Sequence, residues 1–239
     1  MANSYFGAGD RSKFYGLKEV ADCALYPTDA TLTISYTKAN AKVTVTAAKP
    51  ESGAIGADEE YSSPLVFDTL KVTNFDMSSD DVSANGGKGN PELLNWSYGK
   101  SLSFTMEDAL LSTDTLHLLY GSQKRDTAGD GIIVIDGGTF PGAYMMVGIT
   151  VIRNLITGND TPFVFIVPKV QFQVSGTLTM QAEGDPSTFE MTAKCLAQTI
   201  SEKIGDGSAT DRKDSLVVFI DCHQLADSKS VVLKASTDA

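Results

Sequence analysis

The chain has 239 residues, 42% of them hydrophobic and 21% charged, and a formal net charge of −11. That apolar content supplies a core and excludes a globally disordered chain. With 30 acidic residues against 19 basic ones, and Lys124-Arg125 and Arg212-Lys213 as the only basic pairs, the clustered positive charge that phosphate binding requires is missing.

No apolar run approaches the roughly 20 residues that span a bilayer, so no membrane partner is expected. The opening Met1–Asp10 carries neither the basic start nor the apolar stretch of a signal peptide, and the expectation is cytoplasmic synthesis. Cys23, Cys195 and Cys222 are odd in number and widely spaced, which fits reduced, buried thiols better than a disulfide framework.

In chain order, residues 1–27 read as an N-terminal arm containing a helix-compatible stretch, Leu17–Ala24. Thr31–Thr37 and Lys42–Ala47 alternate and are β-branched, and the turn-sized Lys38–Ala41 between them predicts a hairpin. Residues 50–64 form an acidic loop bounded by prolines. A strand is expected from Leu65 to Phe75, then a second long loop over 76–91. Loops of this length in a compact domain are functional or mobile. Glu92–Thr105 reads as a strand with Trp96 and Tyr98 on one face.

The one expected α-helix runs from about Thr105 to Tyr120. Thr105 serves as N-cap, Glu107 and Asp108 favour the positive end of the helix dipole, and Gly121 is the stop. Beyond it, Ile132–Ile135, Tyr144–Ile152, Phe163–Val167, Val170–Val174, Thr177–Met180, Thr188–Cys195 and Leu216–Ile220 all read as strands. Pro168 cannot donate to a ladder, so its strand is expected at an edge or bulged there. The fold class is therefore mainly β: a β-sandwich or barrel with one flanking α-helix and long inter-strand loops, in a single domain over 1–239.

Catalytic, cofactor and metal motifs are not found. Gly86–Gly89 resembles a phosphate loop, but Gly89 replaces the hydroxyl and Val82 the first glycine. Asp126–Gly131 resembles a calcium loop, but Ala128 cannot ligate and Gly137 stands where the bidentate Glu is needed. His117 is read as a helix-surface histidine. Cys222 and His223 are strand neighbours pointing to opposite faces, poorly placed as nucleophile and base. No catalytic residue, cofactor or metal ligand is assigned. The carboxylates of Asp58, Glu59, Glu60, Asp80 and Asp81 lie in polar loops, and a solvated charge run is their ordinary reading.

Ser101–Ser112 is similar to a strand-then-helix segment of phage virion proteins. Phe163–Val170 and Leu178–Met191 resemble the Pro-bearing strand and closing hairpin of bacteriophage major tail (tail tube) proteins. The resemblance implies hexameric rings stacked into a hollow tube through which DNA passes, with partners in other copies and other phage tail proteins, and a place in the virion tail after synthesis in the host cytoplasm. It makes the loops at 50–64 and 76–91 candidates for ring-to-ring contacts, through Asp58, Glu59, Glu60, Asp80, Asp81 and Lys88. The alternatives are another phage part, such as a neck or capsid decoration protein, and a β-sandwich binding module.

Overall fold

The computed structural model describes residues 15–48, 65–88, 92–108, 123–124, 133–135, 137–138, 140–155, 158–173, 189–222, 224–225 and 229–235. Sixteen strands are defined among them: β1 (Tyr15–Leu17), β2 (Asp22–Pro27), β3 (Thr31–Thr37), β4 (Lys42–Ala48), β5 (Leu65–Phe67), β6 (Leu70–Asn85), β7 (Glu92–Asp108), β8 (Gln123–Lys124), β9 (Ile133–Val134), β10 (Ala143–Asn154), β11 (Asp160–Phe172), β12 (Phe189–Cys195), β13 (Gln198–Ile204), β14 (Thr210–Ser215), β15 (Val218–Asp221) and β16 (Ser230–Ala235). Every pairing is antiparallel. A nine-stranded sheet follows the order β5-β2-β10-β11-β12-β7-β6, with β1 on β10 and β15 on β11, and a five-stranded sheet follows β14-β13-β16-β3-β4.

The large sheet curls on itself. Phe75 of β6 packs edge-on against Phe165 of β11, ring centroids 4.8 Å apart, although two strands separate β6 from β11 along the sheet. The Ala21 amide donates to Thr73 Oγ1 at 3.5 Å, tying the entry to β2 against β6 from the opposite end of the strand order. The concave face encloses one core, built around Phe67, Phe104, Met106, Met146, Phe165 and Met191. A second core lies between the convex face and the five-stranded sheet, around Leu32, Ile34, Met145, Ile166, Ile200 and Leu233. The chain is thus barrel-like on one side and sandwich-like on the other.

Strands β10 and β11 serve both cores, which explains why their sequences are apolar almost without interruption. In β11, Phe165 and Val167 face the concave core and Val164 and Ile166 the other. Val167 pairs with Met146 and Val170 with Tyr144, so Pro168 and Lys169 together oppose Met145. This bulge shifts the alternation by one residue and returns Val170 and Phe172 to the concave core. Pro168 therefore sits at a bulge, one of the two placements that its missing N–H allows.

Three expectations are corrected. Leu17–Ala24 is not helical: Leu17 ends β1 and Asp22 begins β2. Thr105–Asp108 is not a helix start but the end of β7, where Met106 alternates into the core with Leu102 and Phe104. Burial of that row outweighs the local capping signal. Residues 109–120, which carry the rest of the expected helix and His117, lie outside the described residues, among which there is no α-helix. Residues 76–85 are not loop but strand, paired with β7 along their whole length. The predicted 3–4 hairpin stands, closed by a 3-10 turn at Lys38–Asn40 with Ala41 at φ 49°.

Candidate assembly surface

β7 is held on two sides only over its second half. Leu102–Asp108 pairs with β12 on one edge and β6 on the other, whereas Glu92–Ser101 pairs with β6 alone. Residues 78–85 and 92–101 therefore make a two-stranded arm that extends beyond the curled sheet, on the order of 25 Å at ~3.3 Å per residue. Its root is marked by the Ser78 and Ser101 hydroxyls, 2.7 Å apart.

Just beyond the root the register breaks. Ser78 opposes Ser101, but Asp80 opposes Tyr98, so Gly99 and Lys100 together stand against Ser79. Gly99 has φ 63°, the left-handed geometry that a G1 bulge requires of its first residue. The extra residue puts β7 out of phase with itself. Below the bulge its even-numbered residues Leu102, Phe104 and Met106 point into the concave core. Above it Leu94, Trp96 and Tyr98 share a ribbon face with Ala84, Val82 and Asp80, the face opposite the core side.

Beyond Asp80 at its root that face is apolar and in solvent: Leu94, Trp96 and Tyr98 are 57%, 53% and 56% exposed, and Val82 is 47% exposed. The other face carries Ser79, Asp81, Ser83, Asn95 and Ser97. Asp80 and Asp81 thus project to opposite sides of one strand, and Lys88 is exposed near the tip. Asp58, Glu59 and Glu60 lie outside the described residues. The signal for the apolar face is present in the sequence as the period-two set Leu94, Trp96, Tyr98 beside Val82 and Ala84. Its direction depends on Gly99.

The strand edges differ in a way composition did not reveal. β14 is an outer edge protected by charge: Asp211, Arg212, Lys213 and Asp214 are exposed, Arg212 Nε donates to Glu202 Oε2 at 3.0 Å, and the β13–β14 register is irregular. β4, at the opposite edge of the same sheet, opens on the exposed Lys42 and then runs Val43–Ala48 without a charge, a proline or a register shift. Natural edges of this length are ordinarily blunted by one of those devices.

At the far end of β10 and β11, Asp160 accepts from Arg153 Nε and Lys18 Nζ, each at 2.7 Å. The Arg153 hydrogen bond and then that of Lys18 hold the Asp160 carboxyl well below the usual carboxylate range. Lys18 directly follows β1, so this ion cluster clasps the first described strand to the sheet. Cys23, Cys195 and Cys222 are buried and unbridged. Burial pushes each thiol up to about 12, which leaves them protonated and poor nucleophiles at neutral pH. Among the described residues no group of His, Cys, Asp or Glu is arranged to hold a metal ion.

The family model of the YomU/Tube protein family matches residues 57–130 and 125–209. The matched stretches take in the arm, both central strands β10 and β11, and the β12–β13 segment. No curated protein gives a significant match to the chain.

Proposed function

The chain belongs to the YomU/Tube protein family, a phage tube-like structural family, and we propose that it builds the phage tail tube by closing into rings, six copies to each, that stack around a channel for DNA. The observation that supports ring closure best is the outer edge of β4, which among the described residues pairs with β3 alone. In a head-to-tail ring, the β4 edge of each copy continues into the sheet of its neighbour, and the exposed backbone groups become the joint.

The net charge of −11 supports the passage of DNA. A lumen with an excess of carboxylates offers no phosphate contacts and repels the passing polymer, so transit is not slowed by adhesion. Stacking falls to the arm and the acidic 50–64 segment, through Asp80, Asp81 and Lys88 on the former and Asp58, Glu59 and Glu60 on the latter. The remaining partners are other tail proteins at the two ends of the tube. The role is structural, not enzymatic, and belongs to the virion.

A binding module is the second reading, and the exposed Trp96 and Tyr98 favour it, since a paired aromatic surface suits a sugar face. Negative-stain electron microscopy of the purified chain across a concentration series separates the two. Stacked rings or tubes of constant diameter support the tube. Monodisperse particles at every concentration favour a decoration protein or a glycan-binding module, and glycan screening then decides between those.

A further inference from the structure

Asn85–Gly86 is the one asparagine–glycine step in the chain. The backbone nitrogen that follows an asparagine can close a five-membered ring onto its Cγ, and the side chain of the following residue ordinarily hinders that approach. Glycine carries no such side chain. Asn74, Asn95 and Asn154, by contrast, precede Phe75, Trp96 and Leu155.

The fold places this step where the backbone can turn. Asn85 is the last residue of β6 and is exposed. The register is irregular between Ala84 and Asn85: Ala84 opposes Leu94 and Asn85 opposes Glu92, so the final pair stands apart from the regular run. Terminal pairs of a ladder fray at close to no cost, whereas Asn74 and Asn95 lie within the paired lengths of β6 and β7. Ring closure requires the asparagine to leave the extended form, and only the frayed end permits that readily.

The two glycines of this tip stand on different grounds. Gly87 has φ 83°, the left-handed geometry that glycine adopts without strain, and Gly86 has no positive φ. The backbone thus calls for glycine at 87 and not at 86. Among the described residues the aspartate counterpart is Asp206–Gly207, between β13 and β14. There the Gly207 amide donates to the Ile204 carbonyl at 3.1 Å, which engages the nitrogen that would attack. An ionised carboxylate is also a far weaker electrophile than a neutral amide.

We propose that Asn85 is a site of spontaneous chemical modification in the folded protein, converting to aspartate and isoaspartate through a cyclic imide. The Gly86 nitrogen attacks Cγ of Asn85. The N–Cγ bond forms, the Cγ–Nδ2 bond breaks, and Nδ2 departs as ammonia with the proton that Gly86 gives up. Water, the one co-reactant, then adds to either imide carbonyl. Opening at Cγ leaves aspartate, and opening at the backbone carbonyl leaves isoaspartate, whose chain continues through Cβ and Cγ. No electrons are transferred. Either product adds one negative charge to the −11 of the chain, and isoaspartate also lengthens the backbone by one carbon at the last β6–β7 pair. The tip of the arm therefore changes covalently with age, whether or not the chain builds a tube.

The full-length protein is warmed at pH 8, sampled over days, digested with trypsin and mapped by mass spectrometry. Cleavage after Lys71 and Lys88 releases Val72–Lys88, which carries both Asn74 and Asn85, so one peptide holds the site and its control. The expected result is a gain of about one dalton at Asn85, at least about tenfold faster than at Asn74. Part of that product should resist an endoprotease that cuts before aspartate, the mark of isoaspartate. Gly86→Ala, with far-ultraviolet circular dichroism unchanged, is expected to slow the gain at least about fivefold. An Asn85 that stays intact in the folded protein overturns the proposal, whether or not the urea-unfolded chain is modified. Aspartate formed without isoaspartate overturns the imide route, and so does a Gly86→Ala variant that reacts at the wild-type rate.

Discussion

The ring of Phe165 lies directly over the backbone of Gly148, its partner across the β10–β11 ladder: a Cβ built on Gly148 would stand 1.9 Å from Cζ of the ring. The absent side chain leaves the space that the aromatic ring fills, a cross-strand pairing in which Phe165 covers an otherwise bare stretch of sheet. Phe165 then reaches Phe75 and Phe104 in the concave core.

Gly148→Ala is therefore expected to destabilise the fold by about 2–3 kcal/mol, the upper range for overpacking a filled site. Urea denaturation measures it. In the double variant Gly148→Ala/Phe165→Leu the two costs should fall short of their sum by at least about 1 kcal/mol, since removing the ring relieves the clash. Strict additivity would show that the two residues do not conflict.

Gly99→Val places a β-branched residue at φ 63°, at a local cost of about 1–2 kcal/mol. The cost falls on the arm, which the body does not need. Amide exchange over residues 79–85 and 94–98 is expected to accelerate while protection in β10 and β11 stays at the wild-type level. Loss of protection in the central strands would mean that the bulge supports the core as well.

Thr44→Lys/Thr46→Lys gives β4 the protection that β14 already has. Both threonines are exposed, so monomer stability should move by no more than about 0.5 kcal/mol. Ring formation, scored by microscopy, should be lost. Rings that form normally would direct the joint to another edge.

The three thiols make a linkage prediction. Their values are raised on folding, to about 12, mainly by burial. Between the free-thiol value near 8.5 and about 12 the unfolded chain has released protons that the folded chain retains, so stability is level below that window and declines as pH rises through it. A thiol-reactive dye at pH 8 should label none of the three in the native protein and all three in denaturant. Rapid native labelling would indicate that the strands around them open readily.

Asp160→Asn removes the carboxylate charge that Arg153 and Lys18 share in the clasp on β1. Global stability should change little, because the cluster is on the surface, but amide protection of Tyr15–Leu17 should fall. In the wild type the carboxyl is held below its ordinary range by Arg153 and Lys18. Its contribution is complete above the unfolded carboxylate value and is lost only as pH falls through the depressed folded value. Protection of β1 should thus persist down through the ordinary carboxylate range, which hydrogen exchange at stepped acidic pH can follow.

The parts of this fold legible in the sequence are those where burial and propensity agree. Tyr144–Ile152 and Phe163–Val167 are rich in β-branched and aromatic residues because both of their faces are covered, and Pro168 marked an edge or a bulge, of which the bulge is found. The arm was illegible for the converse reason. Asp76–Asn85 is rich in Asp, Ser and Asn, residues depleted in strands, and no core on either face imposes alternation on it. Thr105-Met-Glu-Asp108 carries a sound helix-start pattern, yet Leu102, Phe104 and Met106 were already committed to period two. Of the residues expected at contacts, Asp80, Asp81 and Lys88 do lie on the projecting arm. The apolar row beside them was visible as a spacing, but its outward direction follows from one glycine conformation.

The bulge at Gly99 makes the arm far more sensitive to length than to composition. Most single substitutions on it change what it touches by one side chain. Removing one residue between Tyr98 and Ser101 would bring the outer ladder back into step with the inner one and carry Leu94, Trp96 and Tyr98 together to the opposite side. A one-codon deletion there would break up the apolar row, leaving Val82 on its present face and turning its three β7 neighbours to the other, with every one of those residues still present.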